Sequence, residues 1–318
     1  MLLKRFKDNP ILKPEFEWEI NGAFNPCVVQ NKNKIIMLYR GMDSDYISHI
    51  GCAESIDGIH FKKNKKPLVE LKEDYEKYGM EDPRIIKLEG KFYITYIILA
   101  EPPFSGKNNL PQTAVMYTKD FKNFTRIGKI TSKGANDKDV LIFPEKIRGH
   151  YYFIHRPDQW TGAGYKTCAP SIWISHTEKF EKLWHPTLLL RPESKWEEYK
   201  VGGGCPPIKT KKGWICIYHG ITKDLTYSAG AFLLDLNNPR KVIAKLKKPI
   251  LRAQEDYEKT SDGKWVVFPT GAIVLNDQLF VYYGAGDRFS CLATCKLDEL
   301  LKQLMKSPYK EKDGEIIC

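Results

Sequence analysis

The sequence predicts an all-β protein, a five-bladed β-propeller with a short C-terminal helix. Three observations carry this expectation: a proline-bearing strand signal recurring about every 60 residues, a hairpin turn after each recurrence, and a further strand candidate behind each hairpin.

The recurrences start at Asn25-Pro26, Asp82-Pro83, Phe143-Pro144, Pro206-Pro207 and Phe268-Pro269. Each leads through a short apolar run and a turn into a strand ending at Tyr39-Arg40, Tyr96, His155-Arg156, Tyr218-His219 or Tyr282-Tyr283. The turns carry hairpin punctuation: Asn31-Lys32-Asn33, Glu89-Gly90, Arg148-Gly149, Lys212-Gly213 and Asn276-Asp277. Third strands are expected at His49–Ala53, Thr113–Tyr117, Ser171–Ser175, Ala229–Leu234 and Cys291–Thr294, with short closing strands after Asp57-Gly58 and at Lys122–Phe124. Five such units close into a ring that shields strand edges, whereas a β-sandwich would leave the proline spacing a coincidence. A helix is expected only at Leu297–Met305, with a turn near Asp74–Tyr78. Residues 1–318 read as one domain.

Proline is tolerated at the first residue of a strand, so the five prolines are expected to mark the starts of the innermost strands. In a hairpin the start of one strand lies beside the end of the next. The residues around each proline and those ending each second strand should therefore ring one mouth. That mouth would receive Asn25, Arg40 and Asp43 from the first unit, and Glu81, Asp82 and Arg84 from the second. The third would add Lys138, Asp139, His155 and Arg156, the fourth Tyr218 and His219, the fifth Asp287. A funnel this polar reads as a site for something small, hydroxyl-rich and anionic in part.

Composition narrows the class. The apolar fraction of 42 % is that of an ordinary globular protein able to bury a core. The net charge of +11 comes from lysines scattered through turns, such as Lys62 to Lys66 and Lys209 to Lys212, which reads as a solvated surface rather than a nucleic-acid footprint. None of the eight cysteines forms a Cys-x-x-Cys pair, and no His-Cys cluster has zinc spacing, so no metal is expected and the cysteines are read as reduced. The N-terminus is too polar for a signal peptide and no apolar run approaches spanning length. A cytoplasmic protein without a membrane partner is expected. Gly202-Gly203-Gly204 is not a nucleotide loop, since no helix or Lys-Ser/Thr follows it.

Met80-Glu81-Asp82-Pro83-Arg84, Asp137-Lys138-Asp139-Val140 with Phe143-Pro144-Glu145, and His155-Arg156-Pro157 together resemble the β-mannoside phosphorylases and hydrolases of glycoside hydrolase family 130. The likeness extends from Asn21-Gly22-Ala23-Phe24-Asn25-Pro26 through Gly203–Pro207 to Tyr283-Gly284-Ala285-Gly286-Asp287. It implies a five-bladed propeller that cleaves β-mannosides, with Asp82 as general acid acting through the 3-hydroxyl of the bound mannose. It also implies that homo-oligomers are common.

Inverting hydrolysis needs an acid and a base, but phosphate arrives already anionic and dispenses with the base. One carboxyl group, Asp82, facing a set of cations and histidines, Lys138, His155, Arg156 and His219, therefore favours inorganic phosphate as co-substrate over water. Asn25, Arg40, Asp43, Glu81, Arg84, Tyr218 and Asp287 are sugar-contact candidates, and Trp160 is a candidate stacking residue. A hydrolase of the same family and a non-catalytic carbohydrate-binding propeller are the rival readings. Linkage and acceptor sugar would be set by loops at Glu101–Pro111 and Asp158–Lys166.

Overall fold

The computed structural model describes residues 1–103, 105, 109–131, 135–180 and 182–310. Five antiparallel sheets stand around a ring. The first is built from Gly22–Asn31, Lys34–Met42, Ser48–Ser55 and Lys62–Lys63. The second contains Met80–Leu88, Lys91–Ile98, Gln112–Thr118 and Phe124–Lys129. The third contains Asp137–Ile142, Tyr151–Pro157, Ile172–Thr177 and Trp184–Leu190. In the fourth, two short segments, Lys200–Gly203 and Ile208–Thr210, share the inner position beside Gly213–Ile221, followed by Tyr227–Leu234 and Val242–Lys245. The fifth runs Val267–Leu275, Gln278–Ala285 and Phe289–Lys296, and takes its outermost strand, Lys4–Arg5, from the N-terminus. The inner strands of the first four blades pack in succession, the fourth blade meets Val267–Leu275 through Gly213–Ile221 and Tyr227–Leu234, and the first inner strand meets the fifth, which closes the ring.

The five blades stand where the sequence predicts them, but the prolines do not all start strands. Pro26, Pro83 and Pro269 lie inside their inner strands, at irregularities in the register. There the ladder is interrupted and a missing N–H costs little. Pro144 lies beyond the end of Asp137–Ile142, and Pro207 lies between the two segments of the fourth inner strand. What the first three blades share is a left-handed residue at the irregularity: Asn25 (φ 51°), Asp82 (φ 46°) and Asp139 (φ 59°). Asn and Asp tolerate that conformation better than other L residues.

A second recurring device holds the blades. Tyr39 donates to Glu19 at 2.7 Å, Tyr96 to Glu76 at 2.7 Å, Tyr218 to Glu197 at 2.6 Å and Tyr283 to Glu258 at 2.9 Å. Each glutamate sits on a 3₁₀ turn ahead of its blade's inner strand. Each is also paired with a cation from the outer strand: Lys63, Arg126 (2.8 Å), Lys245 (2.7 Å) and Arg5 (2.7 Å). A buried carboxylate is tolerated because both partners compensate its desolvation. The third blade replaces this set with His155, whose Nδ1 lies 3.0 Å from Asp137 Oδ2.

The helix Leu297–Met305 follows the last strand directly, and Leu300 and Leu304, four apart on one face, bury against the fourth and fifth blades. Asp298 and Glu299 in its first turn suit the helix dipole. No helix among the described residues is long and apolar enough to cross a membrane. Cys27, Cys52, Cys205, Cys216, Cys291 and Cys295 are buried free thiols. Cys168 is disulfide-bonded, which departs from the all-thiol expectation.

Candidate active site

The left-handed residues of the first three blades turn their side chains to one mouth of the ring. Asn25, Asp82 and Asp139 all line a cavity of about 290 Å³ there, together with Arg40, Lys138, Arg156, His219 and Asp287. Side chains alternate along a strand, so the residue after each blade-holding Tyr or His faces the opposite way. That is why Arg40, Arg156 and His219 reach the cavity while Tyr39, His155 and Tyr218 do not. In the fifth blade the same place is Gly284, and a Cβ there would collide with the side chain of Asn25.

Asp82 and Asp287 on the wall, with Glu81 behind them, belong to the second and fifth blades, and Asp139 on the wall belongs to the third. Asn25 Nδ2 donates to Asp82 Oδ1 at 2.7 Å. Arg40 donates through Nη2 to Glu81 Oε1 at 2.6 Å and through Nε to Ser48 at 2.8 Å, and its Nη1 lies 3.5 Å from Asp82 Oδ1. Burial pushes the Glu81 carboxyl up, against the pull of Arg40, and the charge of Asp82 adds to the rise. Asp287 is pushed up to about 6 by burial, with Arg40 opposing and Asp82 reinforcing. Burial alone would lower Arg40, but Glu81, Asp82 and Asp287 more than offset it and keep the guanidinium charged. Three acids around one guanidinium favour retaining a proton within the group.

The third and fourth blades supply the remaining cations, opposite Arg40 of the first. Lys138 and Arg156 are register partners on adjacent strands. Arg156, 2 % exposed, lies 3.2 Å from Asp139 through Nη2 and 3.1 Å from Asp158 through Nε. Its Nη1 has no hydrogen-bond partner among the described residues, and neither has His219 Nδ1. Burial and the surrounding cations, Arg156 foremost, hold His219 well below its ordinary range, so it is neutral near pH 7. Lys200 is lowered to about 8 by burial and by Arg156. A Cβ on Gly202 would run into Asp139 Oδ2 and the His219 ring, so the triple glycine lets the fourth inner strand approach this cluster.

Several expected site residues lie off the cavity wall. His155 is held between Asp137 and Ser175 Oγ (2.8 Å), and Tyr218 is fully buried on Glu197, so both are blade-holding residues. Asp43 builds a turn, accepting from the N–H of Asp45 (3.0 Å) and Ile47 (2.9 Å) and facing His49 at 3.0 Å. Arg84 braces the second blade to the fourth, donating to Gly204 O at 2.7 Å and to the carbonyls of Asp82 and Pro83. Glu81 stands behind Arg40. Trp160 stacks on Tyr165 and meets Trp173 edge-on rather than facing the cavity. Of the loop 101–111, residues 104 and 106–108 lie outside the described residues.

The wall also contains residues the sequence reading missed. Lys200 begins the glycine-rich strand, and Tyr227, pushed up to about 12 by burial, stacks beside His219 at 5.9 Å. A lysine two residues before the glycine run was the one available signal for Lys200; Tyr227 looks like any strand tyrosine.

Residues 3–306 match the profile of glycoside hydrolase family 130, described as β-1,4-mannooligosaccharide phosphorylase. The chain is 34 % identical over 308 residues to a 1,2-β-oligomannan phosphorylase of Thermoanaerobacter sp. (strain X514), covering 94 % of this chain and 98 % of that protein. It is 35 % identical over 302 residues to a β-1,2-mannobiose phosphorylase of the same organism, covering 90 % and 94 % of the two chains. Among solved structures, the β-1,2-mannobiose phosphorylase from Listeria innocua in complex with β-1,2-mannobiose superposes with a TM-score of 0.83 at 31 % identity, covering 96 % of this chain and all of the other. With a profile match across nearly its whole length, the chain belongs to glycoside hydrolase family 130.

Proposed function

We propose that residues 1–318 form one catalytic propeller domain that carries out inverting phosphorolysis of β-mannosides. Phosphate oxygen attacks the anomeric carbon, the glycosidic C–O bond breaks, and the leaving oxygen takes a proton. The products are α-mannose 1-phosphate and a sugar one unit shorter. The observation that carries this reading is the cluster of Lys138, Arg156, Lys200 and His219 on one side of the cavity that holds Asp82. Water needs no such cradle, whereas a phosphate dianion does.

In this reading Arg156 and Lys138 bind phosphate, with His219 donating from a neutral ring, and Asp82 supplies the proton. Asn25, Arg40 and Asp287 orient the mannose. Phosphate is a co-substrate, and the reading invokes no metal and no other cofactor. A β-1,2 linkage is favoured over β-1,4 because the relatives at 34 and 35 % identity and the superposed structure are all named for it. A cytoplasmic setting belongs to the same reading, supported by six buried free thiols, with the disulfide at Cys168 standing against it. A homo-oligomer is expected, and light scattering reads it out.

Incubating β-1,2-mannobiose with and without phosphate tests the proposal. Mannose 1-phosphate and mannose in equal amounts, formed only when phosphate is present, are expected. Free mannose as the sole product without phosphate would make the protein a hydrolase.

A further inference from the structure

Arg84 is out of character for its place in the fold. In four blades the inner strand resumes its pairing just past the irregularity, at Cys27, Arg84, Leu141 and Gly271. All are buried, and only the second blade places a charged side chain there. Arg84 is 3 % exposed, and the groups that accept from it are carbonyls. Burying a guanidinium on such partners carries a desolvation penalty that an apolar side chain avoids. Packing alone does not account for it.

What Arg84 touches is the backbone of Asp82. That residue is left-handed at φ 46° and precedes a proline, which pushes its predecessor toward extended backbone. The conflict needs a tie. The first blade meets it at Asn25-Pro26, where Thr270 Oγ1 donates to Pro26 O at 2.8 Å. In the second blade Arg84 Nη1 donates to the carbonyls of Asp82 at 3.0 Å and Pro83 at 3.2 Å. Its Nε anchors the clamp on Gly204 O of the fourth blade at 2.7 Å.

One donor is left over. Nη2 is buried with no hydrogen-bond partner among the described residues. Arg84 borders a chamber of about 10 Å³, on the scale of a single water molecule, walled also by Asp82, Asp139, Thr95 and Thr113. Asp82 and Asp139 wall the cavity as well, whereas Arg84 lines the chamber alone. Asp139 Oδ2, an ion-pair neighbour of Arg156, accepts no hydrogen bond among the described residues. A water that accepts from Nη2 has hydrogens to give to these shared carboxylates.

Resting on the reading of Asp82 as proton donor, we infer that Arg84 is a positioning residue for that acid. It fixes Asp82 through the main chain, and through one water held between Nη2 and the carboxylates that chamber and cavity share. It thereby sets where the Asp82 proton stands relative to the bound mannoside.

The experiment compares Arg84→Lys, which keeps the charge without the fork, and Arg84→Met, which fills the space with neither. On β-1,2-mannobiose kcat should fall roughly ten- to a hundredfold in Arg84→Met, the scale of a misplaced reacting group, and less in Arg84→Lys. The KM values for mannoside and phosphate should move far less. A nitrophenyl β-mannoside, whose leaving oxygen needs little protonation, should lose less than mannobiose. A high-resolution crystal structure of the native enzyme should show an ordered water on Nη2. That structure and Arg84→Lys carry the test should Arg84→Met not fold. Equal losses on both mannosides, a raised KM with native kcat, or no water on Nη2 overturns the inference. Asp82→Asn, run alongside, separates it from the reading it rests on. Leaving-group dependence in Asp82→Asn but in neither Arg84 variant overturns the inference alone; its absence from all three overturns the acid assignment as well.

Discussion

His155 and Tyr218 hold the same place in successive blades, each pairing with the third strand of its sheet and each bonded to a buried carboxylate. His155 lies opposite Trp173 and Tyr218 opposite Gly230. Their partners are Asp137 and Glu197. The residues that follow them, Arg156 and His219, face the cavity. One step along a strand thus separates holding the blade from binding the ligand.

That separation predicts opposite outcomes for neighbouring substitutions. Tyr218→Phe deletes a hydrogen bond to a charged group and should cost about 1.5–3 kcal/mol of stability. Chemical denaturation should show this while the KM for phosphate stays at the native value. His219→Ala should instead raise the KM for phosphate. A Tyr218→Phe protein with native stability and a weakened phosphate requirement would reverse the assignment.

The propeller was legible in the sequence because each blade repeats a hairpin with strong turn residues, such as Glu89-Gly90 and Lys212-Gly213. The strand starts were misjudged because proline marks a tolerated gap in a ladder, whether at an interruption within a strand (Pro83) or beyond its end (Pro144). Lys4–Arg5 closes the fifth blade without a signature, since two residues have no periodicity. Asp82, Arg156 and Asp287 were legible on the wall because hairpin geometry brings those strand ends to one mouth, although the same rule also picked Asp43 and Arg84, which tie a turn and brace two blades. Lys200 was not, because its strand reaches the wall only where Gly202 lets it approach Asp139 and His219, and Tyr227 carries no mark that separates it from other strand tyrosines.

Arg156 tests the phosphate site. Arg156→Lys keeps the charge but loses the fork, including the Nη1 that no described residue satisfies. The loss of one charge-assisted hydrogen bond, about 1.5–3 kcal/mol, corresponds to a KM for phosphate raised roughly ten- to a hundredfold. The KM for the mannoside should move far less. A variant with native phosphate dependence would remove Arg156 from the site.

Lys200 gives the site a pH limit. Its ammonium is lowered to about 8 by burial and by Arg156, so it is charged below that pH and neutral above it. Since the charged form attracts phosphate, kcat/KM for phosphate should fall as pH rises through about 8. Lys200→Arg keeps its charge throughout and should shift or abolish that alkaline limb. A native-like limb in Lys200→Arg would assign the titration to another group.

The proton donor is the last assignment to test, and two carboxyl groups on the wall compete for it. Asp82 accepts a hydrogen bond from Asn25 at 2.7 Å, and burial raises Asp287 to about 6. Asp82→Asn preserves the shape but removes the proton. General acid catalysis contributes typically about 10²–10⁴-fold, so turnover of β-1,2-mannobiose should fall by that range or more. A nitrophenyl β-mannoside needs little protonation of its leaving oxygen and should be affected less, if it is accepted. A 3-deoxy mannoside should be poor even with the native enzyme if the proton passes through the 3-hydroxyl. Asp287→Asn, in contrast, should raise the KM for both mannosides alike, because a sugar contact acts before and during bond cleavage. If Asp82→Asn turns over mannobiose at a near-native rate, and Asp287→Asn loses activity on mannobiose but keeps it on the nitrophenyl substrate, the two roles exchange.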